Sequence, residues 1–297
     1  MFFSSWLRKP NAKPRIVRRA TSTFRPQLEA LEARDVPSTL AVTNNLDDRF
    51  SPPAGSLRAE VTAAHSGDTI VFDQSLKGQT ITLSGSELYI NKNIDIEGLG
   101  ARNLAISGGV VQRYRVFEVA ATDPWGHPVH VTLAGMTIEN GSGIPNGDGV
   151  AWVAADYYHG GGILNHGTLT LNGCTVSGNS SSTVGGGIAN EQGGTMTITG
   201  CTISNNFSSD SPYLDTWAGE VKGGAGIFNN GTMTLSSSTV TKNSAYSGAG
   251  GILNVSSGSL TILSSTVKGN KGLDIASYYG YLSIDSSSTI GSVSIVH

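Results

Sequence analysis

Between Gly160 and Asn270 one pattern is written four times: a glycine-rich lead, an Ile-x-Asn unit, two runs of alternating apolar and polar residues, and a second asparagine. The Ile-x-Asn units end at Asn165, Asn190, Asn229 and Asn254, in steps of 25, 39 and 25 residues. The second series is placed at Asn179, Asn205, Asn243 and Asn270, in steps of 26, 38 and 27. A period of roughly 20–50 residues signals a solenoid, in which each repeat buries its apolar face only against its neighbours.

Alternation sets the local structure. In Thr168-Leu169-Thr170-Leu171 the leucines share one face and the threonines the other, and the alternation resumes at Cys174-Thr175-Val176-Ser177. The pattern returns at Met196/Ile198 then Cys201/Ile203, at Met233/Leu235 then Ser238/Val240, and at Leu260/Ile262 then Ser265/Val267. Glycine and β-branched residues disfavour helix here. About three short strands per coil, coil stacked on coil, predict an all-β chain: a parallel β-helix, right-handed by the usual sense of parallel crossovers. The asparagines read as a structural ladder, because Asn tolerates the left-handed conformation and identical amides can bond from coil to coil. Cys174 and Cys201 stand at equivalent places, and parallel side chains there predict an inward stack of thiols rather than a bridge; whether they are joined, and in which redox compartment, two cysteines leave open.

Three segments are expected. Residues 1–38 form a basic tail with an address-like segment, 39–78 an N-terminal cap module, and 79–297 the β-helix. The first 25 residues hold seven of the 19 basic groups and no acid, which leaves 12 basic against 22 acidic groups in the rest. The tail suits an anionic surface, nucleic acid or export, or is simply disordered. The folded part is not expected to bind nucleic acid. No run approaches the roughly 20 apolar residues of a membrane span. Residues 57–64 read as a short helix and 69–72 as a strand, a piece suited to plugging the open end of a solenoid.

Two insertions carry the functional signal. Residues 144–158 read IPNGDGVAWVAADYY and residues 207–222 read FSSDSPYLDTWAGEVK. Each follows a corner asparagine and precedes a glycine-rich unit, so both should leave the coil on one side, about 10 Å apart, with the short loop Ser180–Val184 between them. They bring Trp152, Tyr157, Tyr158, Tyr213 and Trp217 beside Asp148, Asp156, Asp210, Asp215 and Glu220. Aromatic faces with carboxylates suit sugar rings, and loops on one face of a repeat array are often its binding face; the bland alternative is that the aromatics pack on one another. Hydrolysis of a glycosidic bond needs two carboxylates at a set separation, for which Asp148 or Asp156 with Asp215 are the candidates. A lyase would need a base and a charge neutraliser, with His159 or Lys222 at hand. His166, at a corner position held by Glu191, Asn230 and Val255 in other coils, reads as variable and exposed. No metal site is expected. His127 and His130 are too few ligands, and Asn146-Gly147-Asp148-Gly149 is a weak candidate for one Ca²⁺.

Three stretches resemble known families. Leu28-Glu29-x-Leu31-Glu32-x-Arg34-x-x-Pro37-Ser38 resembles the N-terminal segment of large exported or surface proteins of planctomycete bacteria, which implies an extracellular or envelope address. Gly55-Ser56-Leu57-Arg58-Ala59-Glu60 resembles the CSLREA-type module that precedes β-helix repeats, with Gly55 in place of its cysteine and a different order after Arg58. The Gly-Gly-Gly-Ile and Val/Ile-x-x-Asn units resemble the repeats of polymorphic outer-membrane proteins, with Val176, Ile203, Val240 and Val267 where that family has Phe. These likenesses imply an exported structural or adhesive module, and the residues of the two insertions point its contact to polysaccharide or a cell surface. The alternatives are a polysaccharide lyase or glycoside hydrolase working at the same corner, and an envelope spacer that binds nothing. The oligomeric state stays open, since an end coil could stack on another molecule.

Overall fold

The computed structural model describes residues 37–109, 111, 113–143, 158–209 and 223–296. These form one solenoid of parallel strands in three sheets of nine, eight and ten strands. In a typical coil the chain runs through Ile163–Asn165 in the ten-stranded sheet, Thr168–Asn172 in the nine-stranded sheet and Thr175–Ser177 in the eight-stranded sheet. It then returns to the ten-stranded sheet at Ser180–Ser181. The next coil repeats the order at Ile188–Asn190, Thr195–Thr199, Thr202–Ser204 and Phe207–Ser208. Phe207 and Ser208 are therefore a strand of the sheet rather than the start of the second insertion.

Register is kept from coil to coil, so like residues stack on like. Leu169 lies on Met196, Met196 on Met233 and Met233 on Leu260, and all four are essentially inaccessible to solvent. One continuous apolar core results, running from Val42 to Ile275.

The corners are closed by three ladders. Nδ2 of Asn165 donates to Oδ1 of Asn190, Asn190 to Asn229, and Asn229 to Asn254, each at 2.8 Å. The second ladder corrects the sequence-based placement. Asn206 joins Asn179 to Asn243, at 3.0 and 2.9 Å, and Asn243 joins Asn270 at 2.9 Å. Asn205 is exposed with φ 56°, at the place Gly178 (φ 65°), Lys242 (φ 56°) and Gly269 (φ 72°) take in other coils. Three residues on from the buried Val or Ile is the inward position, and from Ile203 that residue is Asn206. Asn206 is fully used: Oδ1 accepts from Asn179 N and Nδ2, while Nδ2 donates to Val176 O and Asn243 Oδ1. The third ladder is Cys174, Cys201, Ser238, Ser265 and Ser288, in which each backbone N–H donates to the sulfur or hydroxyl of the next coil. Both cysteines are buried and free. The bond to Cys174, with burial, pushes the Cys201 thiol up, so that it stays protonated.

At the N-terminal end, Thr39–Val42 and Asp68–Phe72 are the first two rungs of the nine-stranded sheet. The helix Leu57–Ala63 starts at Ser56, whose hydroxyl accepts from Ala59 N, and it buries Leu57 and Val61. Arg58 is buried too, and all five of its N–H groups are bonded: two to the Asp47 carboxylate, one to the Ser86 hydroxyl, and one each to the carbonyls of Ser86 and Glu87. The third N–H at Asp47 comes from Ser84. Gly55 has φ 74°, and a Cβ there would lie 2.2 Å from the Thr43 hydroxyl, so this chain requires glycine where the resembled module has cysteine.

Candidate functional site

The strands of the ten-stranded sheet place the feet of both insertions on one side. Ser142 bridges to Ser180, Ser180 pairs with Phe207, and Phe207 with Ser244. The first insertion therefore leaves from one rung, the short loop after Ser181 belongs to the next, and the second insertion leaves from the rung after that. Gly143 N donates to Ser180 O, Thr183 Oγ1 donates to Tyr158 O at 3.2 Å, and Ser209 donates through its N–H to Ser181 O and through its hydroxyl to Ser182 O. Ser180–Val184 thus holds the feet of both insertions, two coils or about 10 Å apart.

The triple glycines have a steric cause here. Gly160, Gly185 and Gly224 have φ between 60° and 66°. A Cβ on Gly161 would lie 2.1 Å from Ser180 O, and one on Gly186 2.1 Å from Phe207 O. The third glycine of each unit packs on the ladder: Gly162 on Asn179, Gly187 on Asn206, Gly226 on Asn243. Where the two runs of the ten-stranded sheet approach each other, the first two coils need glycine, while the third places the buried Ala225 where they have Gly161 and Gly186.

The outward residue of each Ile-x-Asn unit is apolar and buried. Leu164, Ala189, Phe228 and Leu253 form a second cluster with Val184, Ala249 and Ala276, outside the coil. A polar group borders it. His159 Nδ1 lies 2.8 Å from Glu191 Oε1, with side chains 13% and 12% exposed. The His159 ring stands edge-on to Phe228, centroids 5.5 Å apart at 64°. Arg115 pairs with Glu118 and donates to the carbonyls of His159 and Gly160. A histidine backed by a carboxylate is held in one orientation, which is the arrangement a positioned base or a polar anchor requires.

Of the residues read from the sequence, Tyr158 lies at this site, half-buried at the foot of the first insertion. Asp148, Trp152, Asp156 and Tyr157 of that insertion, and Asp210, Tyr213, Asp215, Trp217, Glu220 and Lys222 of the second, lie outside the described residues. So does the Ca²⁺ candidate at residues 146–149. His159 joins the site, but through Glu191, Arg115, Glu118 and Phe228, none of which was foreseen. One signal was present: Glu118 is the middle residue of an apolar-x-apolar triplet whose counterparts are Leu164 and Ala189. His166 is half-buried rather than exposed, with its N–H on Val119 O. His127 pairs with Asp123 at 2.9 Å and the exposed His130 opens a strand of the nine-stranded sheet. Among the described residues no group of three or more His, Cys, Asp or Glu is disposed to hold a metal ion, and no helix is long and apolar enough to cross a membrane.

A family model described as a right handed beta helix region matches residues 126–290, more than half of the chain. No curated protein matches it.

Proposed function

The chain belongs to the right-handed beta helix family, and from that membership we propose that it is an exported or surface-associated structural and adhesive module, contacting polysaccharide or another cell-surface component with its insertion-bearing side. The observation that carries the reading is the set of feet at Gly143, Tyr158 and Ser209, fastened to one side of the coil by Ser180–Val184, with the last foot, Gly223, bridged to Ala249 of the next coil. Two insertions rooted two coils apart can form a single contact surface, and these two supply Trp152 and Trp217 with Asp148, Asp156 and Asp215. An extracellular or envelope location belongs to the same proposal. It is supported by the resemblance of residues 28–38 to planctomycete address segments and of the repeats to polymorphic outer-membrane proteins.

The test is retention of the purified chain on a panel of immobilised polysaccharides, with product release measured on the same samples. Trp152→Ala with Trp217→Ala is expected to weaken retention and leave the strand-rich circular dichroism unchanged. Equal retention of this variant and the wild type would refute the contact surface. The His159–Glu191 pair at the root of the first insertion favours one second reading, a polysaccharide lyase or hydrolase at the same place. Reducing ends or unsaturated sugars that disappear in Asp148→Asn, Asp156→Asn or Asp215→Asn would establish it. Neither retention nor product across the panel would leave an envelope spacer.

A further inference from the structure

The outer face of the nine-stranded sheet is a separate surface, and its argument is independent of the insertions. Strands Thr168–Asn172, Thr195–Thr199 and Thr232–Ser236 each present Thr-x-Thr outward: Thr168 and Thr170, Thr195 and Thr197, Thr232 and Thr234. Ser259 and Thr261 continue both columns in the next coil. The second column extends to Thr132 before and Ser283 after, giving six hydroxyls over six coils. The register has no shift between Thr132 and Ser283. The columns therefore form a two-dimensional lattice, with about 4.8 Å between coils and about 6.7 Å along each strand.

Three features distinguish this lattice from an ordinary solvated sheet. Among the described residues, the threonine hydroxyls that bond within the chain are those of Thr62, Thr137 and Thr183, none of them on this face. The two columns carry no acid and no Lys or Arg from Thr132 to Ser283, whereas the coil before them exposes Asp95 and Glu97. The neighbouring eight-stranded sheet also repeats Thr, but with shorter strands and with Glu139 and Lys268 at its margin. On the nine-stranded face each threonine offers one hydroxyl and one methyl on a stiff β-branched side chain, Ser259 and Ser283 offer a hydroxyl alone, and all are fixed by a backbone that is itself stacked in register.

A protein partner is usually gripped by Trp, Tyr or Arg anchors, and a sugar by aromatic rings with carboxylates or amides. Between Thr132 and Thr261 the two columns hold none of these; the exposed Tyr281 follows Ser259 in the first column, and the outward Asn172 lies beyond Thr170 on its strand. An uncharged, in-register lattice of hydroxyls and methyls has a different complement: a surface with its own repeat of oxygen atoms at a similar spacing. Crystalline water presents a regular repeat of oxygen atoms of this kind. Each contact is weak, but the side-chain order is prepaid and the contacts act together only when the periods agree.

We propose that this threonine face adsorbs to ice, holding an ordered water layer in register with the crystal. The experiment uses the full chain. Fluorescently labelled protein is presented to a slowly growing ice hemisphere, and inhibition of ice recrystallisation is measured beside it. Wild-type protein is expected to enter the ice and to keep the grains small. Thr197→Lys with Thr234→Lys, two outward changes at the centre of the lattice, is expected to lose both effects with unchanged circular dichroism. Thr202→Lys with Thr239→Lys, the same change on the eight-stranded sheet, is expected to keep both. Exclusion of the wild type from ice, with no effect on recrystallisation, overturns the proposal whether or not the lysine variants fold. Equal activity of the wild type and both lysine pairs removes it from this face. Retention on an insoluble polysaccharide that Thr197→Lys with Thr234→Lys abolishes, without any ice activity, overturns it in favour of a glycan surface.

Discussion

Single residues in this solenoid matter by their place in a ladder. Asn205 and Asn206 are adjacent and chemically identical, yet one is exposed at φ 56° and the other is 1% exposed with four hydrogen bonds to its side-chain amide. Replacing Asn206 by Ala takes the acceptor from the buried Asn179 N–H and one partner each from Asn179 Nδ2, Val176 O and Asn243 Oδ1. Asn179 Nδ2 keeps its bond to Ile138 O and Asn243 Oδ1 keeps the residue 206 N–H, and a buried unsatisfied group costs about 1–3 kcal/mol. Asn206→Ala is therefore expected to lower unfolding stability by about 2–4 kcal/mol, whereas Asn205→Gly should stay within about 1 kcal/mol; denaturant melts of the two variants check the contrast. Arg58 is a second case. Its partner Asp47 has a side chain 1% exposed, so Arg58→Ala strands a buried charge, and such losses cost about 3–5 kcal/mol. A melt unchanged by Arg58→Ala would show that the clamp is dispensable. The asparagine pattern was legible in the sequence, and its register at Asn205-Asn206 was misplaced by one residue. Steps of 25 to 27 residues admit either neighbour, whereas the count of three from the buried Val or Ile, fixed by the inward direction of the side chain, admits Asn206 alone.

At the scale of strands and turns, most boundaries followed from alternation, because a residue that must face a narrow core has no second place to go. The helix Leu57–Ala63 ended one residue before the expected Ala64, which caps it. What alternation could not reveal was the apolar cluster outside the coil. Leu164 and Phe228 read as outward residues of a strand, and their burial comes from chain returning over the sheet rather than from the strand itself. The polar group at His159 was hidden for the same reason, since Arg115, His159 and Glu191 come from three different coils. The turn after Tyr281–Ile284 supports a prediction of its own. The hydroxyls of Ser287 and Ser288, with the Ser264 N–H, donate to Asp285 and hold its carboxyl at about 2, below the ordinary 3.8. A carboxyl depressed by folding contributes its stability above its unfolded value, and that contribution is lost as pH falls through the folded one. Limited proteolysis of the last coil should accelerate between about pH 4 and about pH 2. Asp285→Asn should flatten that response.

For the molecule as a whole, each coil contacts only its neighbours, so stability is close to a sum of coil-to-coil terms, and the ends hold fewer of them. The C-terminal end of the described solenoid displays this directly. Leu260 and Ile262 are fully buried, but their register partners in the next coil, Leu282 and Ile284, are half-buried and 37% exposed. Val293 and Ile295 continue the inner column of Ile275 and Ser277, and are 40% and 48% exposed where those two are fully buried. The same substitution should therefore cost different amounts one coil apart. Ile262→Ala removes a side chain packed on both sides and should cost about 2–5 kcal/mol. Ile284→Ala should cost clearly less, because part of its surface is already in water. Amide exchange gives the matching kinetic readout. Strands from Ile188–Asn190 to Thr239–Thr241 should protect best, and Tyr281–Ile284 and Val293–Val296 should exchange first. Equal protection in both regions, with equal costs for the two alanines, would mean that the last coil is covered in solution, and that a further surface closes the core at that end.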